Sequence, residues 1–200
     1  MKIILLTGFE PFGGESINPS WELVKLFDNQ VINDYRIISK ELPTVFYESS
    51  ALLLKYLKEY EPRIVLCFGQ AGGSNSIRLE RVAVNVNDAR IPDNKGNQPL
   101  DELIDSNGSV AYFTKLPIRL IYDKLTDNNL PVSISLSAGS YVCNHVFYQL
   151  MQVIHDKDII GGFIHIPYLN IQNKPNHFNM SMDELQKALD IILKSIIDYD

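Results

Sequence analysis

Cysteine is scarce in this chain, with two residues among 200, and so is histidine, with four. Two thiols are too few for a disulfide scaffold, and no Cys or His pair has the close spacing of a zinc site, so neither metal nor cofactor is expected. Positive charge is also short: 18 Lys and Arg stand against 24 Asp and Glu, a net charge of -6. Without a basic face the chain has no means to grip a phosphate backbone, which excludes nucleic acid as the expected partner. Long apolar runs are missing too. The opening run Ile3 to Leu6 is cut off by Gly8-Phe9-Glu10-Pro11, too short for a secretion signal. No stretch approaches the ~20 residues of a membrane span. These absences lead to an expected cytoplasmic location, no membrane contact, and two free thiols.

What is present suits one full-sized core, because apolar residues make up 46% of the chain. Short runs rich in β-branched residues, Ile3–Thr7, Ile64–Phe68, Val132–Leu136 and Gly162–Ile166, predict strands buried on both faces. Tyr35–Leu42 predicts a fifth. Helical periodicity falls between them, over Pro19–Phe27, Phe46–Tyr60, Ile118–Thr126, His145–His155 and Met182–Ile197. Asn18 before Pro19, and Ser181 three residues before Glu184, are helix-start signals. Alternating strands and helices predict an α/β fold: a three-layer α/β/α sandwich around a twisted, largely parallel sheet, in one domain over residues 1–200. Ile77, Leu79, Val82, Val84 and Val86 predict extended chain over 76–90, read as a hairpin at one sheet edge. Residues 91–109 predict a long loop, a length usually associated with function or mobility.

Cys143 is the most informative position. It follows the strand Val132–Leu136 and the turn Ser137-Ala138-Gly139-Ser140, and it opens a helix. The positive end of the helix dipole favours thiolate over thiol, so its pKa is expected to fall. The same unpaired N–H groups suit an oxyanion. A buried structural cysteine is the alternative, and Cys67, inside an apolar run, reads as that. A thiol nucleophile needs a base. His145 lies two residues from Cys143 on the same helix and points elsewhere. His155 and His177 sit in polar surroundings. His165 lies near the end of a strand, where parallel sheets place their ligand crevice, and is the preferred base; a satisfied core histidine is its alternative. Glu80 is a carboxylate in an apolar extended stretch. It is either the acceptor that orients His165 or a surface residue paired with Arg78 or Arg81.

Two glycine-rich loops follow strands. Gly8 to Glu15 fails as a phosphate loop, because Glu15 stands where a lysine is required. Gly69-Gln70-Ala71-Gly72-Gly73 does not match a dinucleotide fingerprint. Both loops suit close backbone approach to a small ligand, with Phe9 and Phe12 either walling it or packing beneath. A phosphorylase on a similar fold would need a basic phosphate site that these loops do not offer. A non-catalytic module that kept the fold would leave Cys143 unreactive.

Together these residues resemble the pyroglutamyl peptidase I family. The resemblance is carried by Leu6 to Gly14, Asn18-Pro19-Ser20-Trp21, Gly69 to Gly73, Asn87 to Asn94, Val142-Cys143-Asn144-His145 and Gly162 to Tyr168. It implies a Cys143–His165–Glu80 triad, with Arg90 near the oxyanion. It further implies a pyroglutamate pocket at Phe9, Phe12, Asn18, Gln70, Tyr141 and Val142. The implied substrates are peptides with an N-terminal pyroglutamyl residue, and the implied assembly is a homotetramer.

Overall fold

The structure, a computed structural model, describes all residues from Met1 to Asp200. In chain order the elements are β1 (Lys2–Phe9), α1 (Pro19–Val24), β2 (Val31–Ile32), β3 (Tyr35–Leu42), α2 (Glu48–Tyr60), β4 (Ile64–Gln70), β5 (Ile77–Glu80) and β6 (Val82–Val84). There follow β7 (Ala111–Phe113), α3 (Ile118–Asp127), β8 (Val132–Ser135), α4 (Val142–Ile154), β9 (Ile160–Ile166), β10 (Tyr168–Leu169), β11 (Asn179–Met180) and α5 (Met182–Ile197). Seven strands form the central sheet in the order β2-β3-β1-β4-β9-β5-β8. Strands β3, β1, β4 and β9 run parallel, while β2 and β5 lie antiparallel to their neighbours β3 and β9. The sheet is therefore mixed and mostly parallel, as expected.

The apolar runs are buried on both faces, with alternate residues serving different cores. From β1, Ile4 and Leu6 face a core closed by α1, α3 and α5. Leu5 and Phe9 face the opposite core, closed by α2 and α4. Each such Leu, Ile or Phe contributes roughly 1.5–3 kcal/mol of transfer free energy. The helix starts follow the sequence signals. Asn18 Oδ1 accepts from the Ser20 N–H at 3.1 Å, and Ser181 and Glu184 form a reciprocal capping box. Helix α1 is shorter than expected, ending at Val24 before a 3₁₀ turn over Lys25–Phe27. Helix α2 starts at Glu48, because Tyr47 takes a left-handed φ of 63° and the Phe46 N–H is held by Asp93.

One expectation fails in an instructive way. The 76–90 segment is not a hairpin at an edge. Strand β5 is inserted inside the sheet, antiparallel to β9 and parallel to β8, and only β6 leaves it to pair with β7. Strand β8 therefore runs against β9, so Cys143 does not follow the end of a strand parallel to the one carrying His165. The chain leaves β8 at Ser135, with Leu136 already 70% exposed. Residues 136–141 then return it to the site. The long loop 91–109 contains no helix or strand. It is fastened by buried Asp93, whose carboxylate accepts from the N–H groups of Phe46, Lys95 and Asn97.

Candidate active site

Strand register brings three polar side chains onto one face. Arg78 stands opposite His165 in the β5–β9 pair, and Glu80, two residues on, shares that face by the period-two rule. His165 Nδ1 lies 2.8 Å from Glu80 Oε1. Glu80 is fully buried and His165 nearly so. A carboxylate held against Nδ1 fixes the ring orientation and leaves Nε2 directed elsewhere. The surface-residue alternative for Glu80 is therefore excluded, although Arg78 Nε also approaches Oε1, at 3.4 Å. Glu80 Oε2 is buried and makes no hydrogen bond.

Cys143 is the second residue of α4. The first backbone bond of this helix runs from the His145 N–H to the Tyr141 carbonyl, so the N–H groups of Val142, Cys143 and Asn144 are free for an incoming oxygen. Cys143 and His165 line one cavity, and no hydrogen bond joins them directly. The expected fall in the Cys143 pKa is corrected here. Burial pushes this thiol up to about 12, and the Glu80 charge and Cys67 act in the same direction, against the pull of its own N–H. Desolvation of a thiol packed against the α2/α4 core outweighs the pull of the helix start. Cys67 is fully buried, with its thiol also pushed up to about 12 by burial, and belongs to the core.

Gly69 fixes where the sulfur sits. It pairs with His165 on the adjacent strand, and a Cβ there would lie 2.9 Å from Cys143 Sγ and 2.9 Å from Phe163 Cζ. Gly69→Ala is expected to fold and to lose about a hundredfold in kcat, since displacing a reacting atom by about 1 Å costs that much. Steady-state kinetics with a circular dichroism control measure this. Unchanged kcat would show that the sulfur has room to spare.

The cavity has a volume of about 830 Å³. Phe9, Phe12, Asn18, Gln70, Tyr141 and Arg90 line it, as implied by the family resemblance. Phe12 packs at a tilt against Tyr141 with ring centroids 6.1 Å apart, and the Tyr141 hydroxyl donates to the Pro92 carbonyl. Asn18 also braces the wall, donating to the Glu10 carbonyl at 3.0 Å. Val142 is not among the lining residues: its side chain is fully buried in the α2/α4 core. At the rim, Glu15 pairs with Lys174. A helix N-terminus beside a carboxylate-held imidazole, opening on a recess walled on one side by Phe9, Phe12 and Tyr141, equips the cavity for acyl transfer from a neutral group.

Sequence reasoning missed the supports behind these residues. Asn144 holds the chain after Arg81, accepting from the Val84 N–H and donating to the carbonyls of Val84 and Val86. His145 is buried, with Nδ1 3.0 Å from Asn87 Oδ1 and Nε2 3.0 Å from Ser50 Oγ. Burial lowers its pKa to about 4. It is a neutral clamp between α4, α2 and the segment leading to Arg90. Both lie in the quoted stretch Val142-Cys143-Asn144-His145, but nothing local reveals their partners.

Comparison with known proteins finds relatives that span nearly the whole chain. The family model described as pyroglutamyl peptidase matches residues 1–199. A pyrrolidone-carboxylate peptidase of Bacillus cereus is 48% identical over 198 residues, covering 97% of this chain and 92% of that protein. The crystal structure of pyroglutamyl peptidase I from Bacillus amyloliquefaciens superposes with a TM-score of 0.94 at 47% identity, covering 98% of this chain and 94% of that one. Pyrrolidone carboxyl peptidase from Thermococcus litoralis gives a TM-score of 0.96 at 40% identity, covering 100% and 94%. With nearly its whole length matched in sequence and in fold, this chain belongs to the pyroglutamyl peptidase family.

Proposed function

We propose that residues 1–200 act as one cysteine exopeptidase domain that hydrolyses the bond after an N-terminal pyroglutamyl residue and releases pyroglutamate. The observation that carries this reading is the buried Glu80–His165 pair and the Cys143 helix start meeting at one cavity with an aromatic wall of Phe9, Phe12 and Tyr141. The pyroglutamyl end is a neutral lactam without a free amine. It needs apolar walls and a few hydrogen bonds, which Phe9, Phe12, Tyr141 and the Gln70 loop supply; a charged amino terminus would be desolvated there without a partner.

Catalysis begins with the thiol protonated. His165 Nε2 takes the Sγ proton as sulfur bonds to the pyroglutamyl carbonyl carbon. The oxyanion is received by the free N–H groups at the start of α4, with Arg90 adding positive charge. Glu80 stabilises the imidazolium that forms. Collapse breaks the C–N bond, and His165 gives its proton to the departing amine. Water then attacks the thioester with His165 again as base, releasing pyroglutamate and restoring the thiol.

Assembly as a homotetramer and residence in the cytoplasm are part of the same proposal. Exposed Leu100, Leu103, Val110 and Phe113 support the first by offering apolar surface for burial between copies. Two free thiols support the second. No helix is long and apolar enough to cross a membrane.

The test is release of a coumarin fluorophore from its pyroglutamyl amide, measured beside the prolyl and glutamyl amides. Cleavage of the first alone is expected. Equal cleavage of the three would show that the lactam is not what the site recognises.

A further inference from the structure

The cavity extends along the sheet edge beyond the catalytic pair. Its apolar walls, Phe9 and Phe12, belong to β1 and the loop after it, and Gln70 ends β4. His165 is on β9, next in the sheet, and Arg78 is on β5, one strand further from those walls. A lactam seated on the β1/β4 side, with its carbonyl at Cys143, sends its leaving peptide past His165 toward β5. The lining on that side is polar: Arg78, Asp88, Ser137 and Ser140.

Arg78 is not spent by its protein contacts. A guanidinium has five N–H donors in a planar fork. Nη2 donates to Ser135 Oγ at 2.6 Å and to the Ser137 carbonyl at 3.0 Å. Nε faces Glu80 Oε1 at 3.4 Å. These contacts hold the fork rigid, while Nη1 makes no hydrogen bond and the side chain remains 35% exposed at the cavity. Three carboxylates lie on the cavity or beneath it. Glu80 is fully buried and meets only Nε, which leaves Nη1 free. Glu15 is paired with Lys174, and exposed Asp88 makes no hydrogen bond to Arg78, while Arg90 adds a second positive charge on the same cavity.

We propose that Arg78 forms a carboxylate subsite on the leaving side of the scissile bond, so that this chain favours pyroglutamyl peptides bearing a carboxylate on their second residue. This rests on the peptidase reading above. The carboxylate comes either from an acidic side chain or from the free C-terminus of a dipeptide. A rigid, half-exposed guanidinium with an unused donor pair distinguishes a carboxylate from its amide isostere by about tenfold.

Four substrates in two pairs separate the sources: pyroglutamyl-Glu-amide against pyroglutamyl-Gln-amide, and pyroglutamyl-Ala with a free carboxylate against pyroglutamyl-Ala-amide. The expected result is a kcat/KM about tenfold higher for the acidic member of at least one pair. Arg78→Gln is expected to bring the ratio near one, whatever it does to the amides. Raising salt to 0.5 M is expected to erode the wild-type preference, a readout independent of the variant's folding. Calorimetric titration of both pairs into Cys143→Ala protein measures the subsite without turnover. Wild-type ratios near one for both pairs, equal Kd values within the pair that shows the kinetic preference, or an Arg78→Gln protein that keeps the preference would overturn the proposal. A preference in the calorimeter with no hydrolysis by the wild-type protein would instead strike the peptidase reading and leave the subsite standing.

Discussion

Cys143→Ser is expected to lower kcat/KM for a pyroglutamyl amide at least ten-thousandfold, because the hydroxyl is a far weaker nucleophile in a site built around sulfur. The folded protein should be unchanged, since serine replaces a half-buried thiol that makes no hydrogen bond to the base. Full activity in this variant would remove the sulfur from the mechanism. The pH dependence of alkylation is a sharper companion test. Burial and the Glu80 charge hold the thiol well above its ordinary value, at about 12. A raised pKa leaves little thiolate at pH 7, and that fraction grows as pH rises. Iodoacetamide should therefore alkylate Cys143 about tenfold faster for each pH unit between 7 and 10. A rate flat across that range would mean that the sulfur is already ionised at rest.

His165→Ala is expected to cost about as much as loss of the nucleophile, because groups acting as a unit fail together. Glu80→Gln gives the graded version. The amide keeps the shape of the buried side chain, but its carbonyl or its NH₂ can face Nδ1, so the ring tautomer is no longer dictated. A loss of a hundredfold to ten-thousandfold in kcat is expected, with KM little changed, since neither group contacts the lactam walls. A parallel rise in KM would instead indicate that Glu80 shapes the pocket. Glu80→Ala is the poorer test. It removes the acceptor from a buried ring and combines a folding cost with a catalytic one.

The core strands were readable in the sequence because parallel, doubly buried strands are continuous apolar runs, as in Ile64–Phe68 and Gly162–Ile166. That Cys143 and His165 line one cavity was readable because each carries a local signal, a helix start for one and a strand end for the other. Strand direction has no such signal. Ile77–Glu80 and Val132–Ser135 alternate in the same way whether they run with or against β9, so their reversal was invisible and the hairpin was misplaced. The Cys143 titration was misjudged for a related reason, since the dipole is local but the apolar wall is tertiary. Val142 shows the same limit. Its neighbour faces the cavity while its own side chain turns into the core. Glu80 needed the family resemblance, because its partner is 85 residues away.

The inserted strand β5 also bears on when the protein becomes active as it folds. Its two neighbours, β8 and β9, are supplied by residues 132–135 and 160–166, so at synthesis it emerges with neither ladder partner in existence. Distant pairings of this kind close late, after the local contacts around β1 and β3 have formed. Glu80 can meet His165 only once the chain has been made through β9 and that strand is in place. Turnover therefore reports a completed sheet, because a chain that ends before β9 has the early strands and Glu80 but no base for it to orient.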